Sequence, residues 1–274
     1  MSETPPDSLK DRRRFAGTLS LGDRSIDVSF GCHVDPHGVV QLQLDDVALN
    51  DRTKFILSTW YDDKELAYYD LVGTSEDGVR FASQHLSFDS IGPDTDERGS
   101  RYVFQARTAL AEFVRPMPRP EPTKLFLFLC GFASFGKLSA SCRLGEVVAG
   151  GKHDAEADLL SGTLGIIAPK EVEDVQRWRK DAAELLEHVR AVISFGAGAN
   201  LIDRVTEFRS GHEIVATVRS STIQHAADMP VFHFIDRQGL LEAAVRSFFE
   251  SRVGAKDIRM ACEWFGMCSA SVEM

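Results

Sequence analysis

The fold class of this chain is decided by the stretch FAGTLSLGDRSIDVSFGCHVDPHGVVQLQLDDV, residues 15–47. It contains three short runs in which apolar and polar residues partly alternate, as in strands that bury one face. The separators LGDRS and DPHG combine glycine with aspartate or proline, which is the chemistry of tight turns. Similar runs follow, with SEDG and PMPRPEP between some of them, over Leu66–Val72, Val79–Phe88, Arg101–Val114 and Lys124–Val148. Repeated short strands predict an antiparallel sandwich or a curled sheet, so we expect a β-sandwich-like domain over residues 15–155.

A second pattern begins near residue 156 and contains the clearest helix of the chain. The segment EVEDVQRWRKDAAELLEHVRAVISF, Glu171–Phe195, places apolar residues at spacings of three and four. Its acidic residues Glu171, Glu173 and Asp174 are expected in the first turn, where the helix dipole favours them. Two strands, Leu201–Phe208 and Glu213–Arg219, and a helix from Gln238 to about Arg252 follow.

These patterns together predict an α+β fold with two domains. The first is the β-rich domain, and the second is a smaller α+β domain over residues 156–274. The segment GGKHDAEAD interrupts the apolar pattern and places the boundary near residues 150–158. Residues 1–14, which are rich in proline, serine and charge, are expected to form a disordered lead-in.

The last predicted helix, in DIRMACEWFG at residues 257–266, is apolar on almost every side. A helix of this kind has to be buried against another surface. Either Trp264 and Phe265 fold back onto the core of the chain itself, or they meet a partner. Ile258, Trp264 and Phe265 are therefore the candidate partner-binding residues.

Composition limits the classes of protein to which this chain can belong. Its 31 basic and 41 acidic residues give a formal charge of -10, so a global basic field for nucleic acid is absent. Five widely spaced cysteines in a chain of 274 residues do not describe a disulfide framework. The N-terminus lacks the apolar region of a secretory signal, and the most apolar run, Leu125–Phe135, is too short to span a membrane. We therefore expect a cytoplasmic protein with reduced thiols and no membrane contact.

A first candidate metal site is GCHVDPHG, which brings Cys32, His33, Asp35 and His37 close together in sequence. All four residue types bind transition metals, and two histidines four residues apart occur in zinc sites. In an extended segment, however, Cys32 and His33 point to opposite faces. A DPHG turn between two strands explains the same letters without a metal.

A second candidate is the segment that contains His225, Asp228 and His233. Two histidines and an aspartate on one loop can bind a metal or transfer protons. The alternative is a surface loop around Pro230 that collects polar residues for turn formation.

Motifs of other enzyme classes give no further catalytic residue. The chain has no G-x-S-x-G elbow, no Walker loop and no G-x-G-x-x-G after a strand. The ribonuclease pattern R-x4-6-H occurs at Arg80 to His85 and at Arg219 to His225, but about two matches are expected by chance. Because both matches lie in strand-like sequence, we assign neither a catalytic role.

The order of features after residue 185 resembles a known family. LLEHVRAVISFGAGANLIDRVTEFRSGHEIVATVRSS, a loop with proline, LLEAAVRSFFES and MACEWFG are similar to the segment that precedes the HEPN domain in ApeA-type anti-phage proteins. The residues that carry the resemblance are Ser194 and Phe195, the turn at Gly211, and Glu263, Trp264 and Phe265.

The resemblance implies a sensing or regulatory module and no nuclease activity, because this chain lacks the helices that would carry the Arg and His dyad. The expected partners are a separately encoded HEPN effector or a second copy bound through the C-terminal helix, and a phage component. No cofactor is expected. The alternative function is a metal-dependent hydrolase or nuclease that uses the loop with His225, Asp228 and His233.

Overall fold

The computed structural model describes residues 7–47, 56, 68–96, 99–130, 132, 137–151, 159–169, 171–197, 201–220, 237–250, 256–258 and 260–261. The strands are β1 (Arg13–Leu21), β2 (Arg24–Val34), β3 (Val40–Val47), β4 (Tyr69–Ser75), β5 (Arg80–Asp96), β6 (Gly99–Cys130), β7 (Leu138–Cys142), β8 (Gly145–Gly151), β9 (Leu160–Ile167) and β10 (Ile202–Arg219). The helices are α1 (Asp7–Lys10), α2 (Val175–Ala197) and α3 (Arg237–Glu250). Contacts divide the chain into a barrel unit, Asp7–Pro116 with Val215–Ser221, and a layered unit, Met117–Ile214 with the described residues after Thr222.

The barrel unit is built on a closed barrel of six antiparallel strands. The strands pair in the order β3, β2, β1, β4, β5 and β6, and β3 then pairs with β6 to close the ring. The prediction of a β-sandwich-like domain is therefore wrong. The alternation of apolar and polar residues correctly predicts strands with one buried face. It does not distinguish a sandwich from a barrel, because both bury one face of each strand. The pairing of the first and last strands decides between them, and alternation carries no information about that pairing.

A connected cluster of phenylalanine rings lies in the barrel interior among leucine and valine side chains. Phe15 stacks on Phe30 at a centroid distance of 5.2 Å, and Phe81 meets the edge or face of both Phe30 and Phe113. The ring of Phe30 lies where a Cβ on Gly73 would stand, so a glycine is required at this position. The barrel thus combines large rings with small neighbours, as a narrow closed sheet requires.

Strand β6 is longer than predicted because it runs through PMPRPEP, which we had expected to separate two strands. The four prolines, Pro116, Pro118, Pro120 and Pro122, alternate with other residues. In a strand the N–H groups of alternate residues point to the same edge. All four missing N–H groups therefore fall on one edge, and the other edge keeps its donors.

The layered unit is a sheet covered by helices. Its strands follow the order β6, β9, β8 and β7, and all the pairs are antiparallel. Since β9 lies between β6 and β8, the sheet continues past the predicted boundary, and the prediction that a separate α+β domain follows is also wrong. Of the boundary itself, residues 152–158 lie outside the described residues.

The long helix α2 supplies most of the helical side of this core. The core includes Leu125, Leu127, Val147, Ile166, Trp178, Leu185, Leu186, Val189, Leu241 and Phe248. The three acidic residues that we expected in the first turn precede the helix instead. Asp174 caps it, because its carboxylate accepts the N–H of Arg177 at 3.0 Å.

Two further predictions of local structure differ from the fold. The turn expected at RSGH is absent, since β10 continues through it as one strand with Gly211 at a φ of 57°. A glycine in this conformation can bend a strand without ending it. In the predicted lead-in, α1 is helical and Leu9 is buried, whereas residues 1–6 lie outside the described residues.

Candidate functional site

One wall of the barrel presents the side chains of four neighbouring strands to solvent. One row across β1, β4, β5 and β6 consists of Thr18, Val72, Ala82 and Glu112, which are register partners. A second row, two residues away, consists of Ala16, Thr74, Arg80 and Val114. We call these two rows, together with Tyr68, His85 and Leu110, the outer barrel face.

The outer barrel face carries large apolar side chains in water. Tyr68 is 51% exposed, Val72 is 50% exposed and Leu110 is 40% exposed. The small residues Ala16 and Ala82 lie between larger neighbours and leave a shallow groove. Exposed apolar residues are ordinary when they are single, but several large ones on one wall of a barrel favour an interaction surface.

His85 distorts the backbone at one side of this face. Its φ is 61°, and it lies where the register between β4 and β5 shifts. The exposed ring of His85 meets the ring of Tyr68 edge to face at 5.6 Å. Among the described residues other than glycine, His85 alone has a positive φ. Such conformations cost free energy and are concentrated at functional sites.

A charged turn lies at one end of the barrel strands. Ser75 Oγ donates to the Asp77 carboxylate at 2.5 Å, and the Arg13 guanidinium lies 3.3 Å from the same carboxylate. The hydrogen bond from Ser75 is the largest influence on the pKa of Asp77 and lowers it; burial opposes this effect, and the charge of Arg13 adds a further, smaller lowering. This turn is therefore held partly by an ionised side chain.

The structure does not bring the residues of the first candidate metal site together. Cys32 is 1% exposed on the same side of β2 as Phe30, and His33 lies on the opposite face. The Asp35 carboxylate accepts the backbone N–H groups of His37 and Val39, both at 2.9 Å, and so organises the turn. No group of three metal-binding side chains converges anywhere in the described part of the chain.

Burial also determines the chemistry of the Cys32 thiol. The surrounding apolar side chains raise its pKa far above the ordinary value, because a thiolate there would lose its hydration. The thiol is therefore protonated at neutral pH and is a poor nucleophile or metal ligand. It acts as a small apolar core residue.

The remaining predicted site residues fall mostly on parts of the chain that are not described. His225, Asp228 and His233 lie outside the described residues, as do Trp264 and Phe265. Ile258 belongs to the helical residues 256–258 and is 40% exposed. Met260, close to it in sequence, is 49% exposed. The predicted role of this segment in partner binding stays a prediction.

Helices α2 and α3 contain a serine and histidine pair that sequence reasoning missed. His188 Nε2 lies 2.9 Å from Ser247 Oγ, although the two residues are 59 positions apart. Ser247 Oγ also donates to the carbonyl of Ala244 at 2.9 Å, within α3. The hydroxyl is thus held by its own helix as well as by His188. The pair is a polar contact in the core, where His188 is only 1% exposed.

The layered unit also contains a charged cluster around Glu121. The carboxylate of Glu121 lies 3.3 Å from Lys124 Nζ and 3.4 Å from Arg209 Nη1. Burial raises the pKa of Glu121, but the hydrogen bond from Lys124 and the charges of Lys124 and Arg209 outweigh it, so that the pKa is lowered. Arg209 also pairs with the buried Glu207. Every charge of this cluster has an opposite neighbour, which is typical of a structural ion-pair network.

Comparison with known proteins assigns no family to the chain. Neither the family models nor the curated proteins with which it was compared give a match. None of the described helices combines the length and the apolar character that crossing a bilayer would require. The geometry of the outer barrel face is therefore the main structural basis for a function.

Proposed function

We propose that this chain is a non-catalytic sensing module of a bacterial anti-phage system of the HEPN type, and that it acts in the cytoplasm. Its role is to recognise a protein component of the phage through the outer barrel face. The observation that carries the proposal is the presence of three apolar side chains, Tyr68, Val72 and Leu110, each at least 40% exposed on one barrel wall. The sequence resemblance to ApeA-type proteins supplies the biological setting.

The chemistry of the outer barrel face suits a protein partner. Its apolar side chains lie among polar ones, since Asp70 of β4 stands between Tyr68 and Val72, and the register partner of Leu110 is Gln84. Arg80 and Glu112 add one charge of each sign. Such a mixture is usual in transient interfaces between proteins, which are about as polar as the rest of a protein surface. The formal charge of -10 disfavours a nucleic acid as the partner.

The strained His85 supports the same assignment. Its ring and that of Tyr68 form an exposed aromatic pair on the same barrel wall. A backbone conformation that costs free energy persists only if the surrounding structure holds it. Aromatic side chains held in this way are frequent anchors in protein interfaces.

The decisive experiment is a phage challenge of cells that carry the chain in its natural locus. The double variant Val72→Asp with Leu110→Asp replaces two of the three exposed apolar side chains of the outer barrel face by charged ones. We expect it to reduce protection roughly tenfold or more, as the loss of an interface anchor does. Gln176→Asp adds an exposed charge on α2, outside the face, and should leave protection unchanged.

Two outcomes would contradict the proposal. Full protection by the double variant, at normal abundance and thermal stability, would show that the outer barrel face is not used. Cleavage of RNA by the purified wild-type chain would show that the module is catalytic. Capture of a phage protein by wild type but not by the double variant would identify the partner directly.

A further inference from the structure

Strand β7 is the last strand of the layered sheet. It pairs with β8 through a two-residue turn, Arg143 and Leu144, and the described part of the chain places no strand beyond it. The side chains of β7 are small, and none is charged: Leu138, Ser139, Ala140, Ser141 and Cys142. Exposed edges are usually protected by charge, proline or a bulge, because their backbone groups can pair with another chain.

The turn determines which backbone groups of β7 are available. In a hairpin with a two-residue turn, the residues that flank the turn exchange both hydrogen bonds. Cys142 and Gly145 are this pair, so Ala140 and Leu138 also bond to β8. The N–H and C=O groups of Ser139 and Ser141 therefore point away from β8, toward the open edge.

One of these outward groups, the carbonyl of Ser139, already accepts a hydrogen bond from a side chain. Gln238, at the start of α3, donates its amide N–H to the carbonyl of Ser139 at 2.6 Å. The same amide donates to Glu242 at 2.8 Å. A side-chain amide thus occupies the position of a backbone donor in a neighbouring strand. Because the side chain of Gln238 is long and flexible, a real strand can displace it.

Helix α3 runs beside this edge and forms a groove with it. Gln238 contacts Ser139 near one end of β7, and Arg143 lies over the ring of Phe249 at 4.7 Å at the other end. The helix and the strand therefore run in the same direction. The groove between them is lined by Ala140, Cys142, Val245 and Phe249, with Glu242, Arg246 and Glu250 along the helix.

The charged row on α3 has the spacing of an extended chain. Glu242, Arg246 and Glu250 are each four residues apart, which is about 6 Å along a helix. Alternate residues of a strand point to the same face and are about 6.6–6.8 Å apart. A strand in the groove would therefore place three successive same-face side chains opposite an acidic, a basic and an acidic group.

We propose that the groove between β7 and α3 binds an extended peptide of a partner protein, which adds a strand to the sheet. The peptide pairs with the outward groups of Ser139 and Ser141 and displaces Gln238. On the side that faces α3 it carries a basic, an acidic and a basic residue at alternate positions. Main-chain hydrogen bonds supply affinity in this mode of recognition, and the alternate side chains supply specificity.

A second copy of the chain fits the edge less well than a short peptide. Five residues with two outward-facing positions offer little area for pairing two β7 strands. A stable dimer typically buries about 1,200–2,000 Å². A peptide, by contrast, uses the edge and the groove together.

The test uses the full chain and a fluorescent, end-capped peptide of sequence Thr-Lys-Thr-Glu-Thr-Lys-Thr. Threonine is chosen for its preference for strands. We expect saturable binding by fluorescence anisotropy. The sign-reversed peptide Thr-Glu-Thr-Lys-Thr-Glu-Thr should bind at least about tenfold more weakly. In the triple variant Glu242→Lys, Arg246→Glu and Glu250→Lys this preference should invert.

Two variants at one position test the strand pairing. Ser141→Pro removes an outward N–H without removing a bond to β8, a substitution that edge strands tolerate. It should weaken peptide binding about tenfold, whereas Ser141→Ala keeps the N–H and should bind as wild type does. Circular dichroism and thermal melts establish that both variants are folded.

Several outcomes would overturn the proposal. Equal binding of the two peptides would mean a nonspecific surface, and no binding at millimolar concentration would mean that the groove is not a peptide site. Binding unaffected by Ser141→Pro would exclude strand addition. Self-association that Ser141→Pro abolishes would assign the edge to a second copy instead. The outer barrel face variants should leave peptide binding unchanged, so the two proposals fail separately.

Discussion

In the barrel unit the buried face of the strands contains a connected cluster of phenylalanine rings among leucine and valine side chains, whereas the larger core of the layered unit consists mainly of leucine, valine and isoleucine. Phe15, Phe30, Phe81 and Phe113 form a connected aromatic cluster. In the layered unit the side chains of β9 and of its neighbours pack against the aliphatic face of α2 instead. The difference follows from what covers each sheet. The interior of a closed barrel is filled by side chains of its own strands, whereas the core beside an open sheet is formed by side chains of strands and helices together.

The same difference determines where each unit is available for binding. The closed barrel hides its backbone groups in a ring of pairs, so its exposed features are side chains on the outer wall. The open sheet ends at β7, so its exposed features include backbone groups. The two proposed sites are therefore of different kinds: one would bind its partner through apolar side chains, and the other through main-chain hydrogen bonds.

The strongest test of the aromatic core is Phe30→Ala. Phe30 is fully buried and contacts both Phe15 and Phe81. Because a closed barrel cannot collapse easily into the cavity, we expect the free energy of unfolding to fall by about 3–5 kcal/mol. Denaturant unfolding followed by circular dichroism measures the change. Ser29→Ala, at the neighbouring exposed position, should have almost no effect. A similar small loss for both variants would mean that the rings do not hold the barrel.

Sequence alone predicted much of the secondary structure but not the closure of the barrel. The alternation in residues 15–47 correctly indicated β1, β2 and β3, and the three-and-four spacing correctly indicated α2. Closure depends on the pairing of Leu42 with Ala106 and of Leu44 with Phe104, residues that are 64 and 60 positions apart in the chain. No local pattern encodes such a long-range pairing.

The candidate sites were harder to predict than the strands. Val72 and Leu110 look like ordinary core residues in the sequence, and only the strand register shows that they face outward. Nothing in the sequence marked Ser139 and Ser141 as binding residues. Their backbone groups point outward only because the two-residue turn makes Cys142 and Gly145 a hydrogen-bonded pair. The sequence instead suggested a metal site that includes Cys32 and Asp35. In the structure, Cys32 lies in a strand and Asp35 organises a turn.

Two glycines, one from each unit, test how closely neighbouring atoms approach the backbone at single positions. A Cβ on Gly17 would overlap the backbone oxygen of Val72, so Gly17→Ala must move a strand of the barrel. We expect it to lower the free energy of unfolding by about 1–3 kcal/mol. Gly150, in β8 of the open sheet, has no atom within 4 Å of the corresponding Cβ position. Gly150→Ala should change stability by less than about 0.5 kcal/mol, and equal costs for both would refute the argument from backbone proximity.

The smallest expected effect concerns the charged turn of the barrel unit. The pKa of Asp77 is lowered in the folded chain by Ser75 and Arg13. Its ionised form therefore adds stability above the ordinary value of 3.8, and this contribution disappears as the pH falls through the lower folded-state pKa. Because Asp77 is 57% exposed and screened by water, Asp77→Asn should cost less than about 1 kcal/mol at pH 7.

Urea unfolding at pH 7 and at decreasing pH below 3.8 tests the predicted direction of this pH dependence. The free energies of unfolding of wild type and Asp77→Asn should become equal as the wild-type carboxyl is protonated. Glu76→Gln removes the same charge from the same turn without removing the contacts to Ser75 and Arg13, so it should behave as wild type at neutral pH. If Asp77→Asn instead destabilised the chain equally at every pH, the role of Asp77 would be the hydrogen bond from Ser75 and not the charge. The turn would then be held by a hydrogen bond and not by charge, in contrast with the ion-paired cluster around Glu121 in the layered unit.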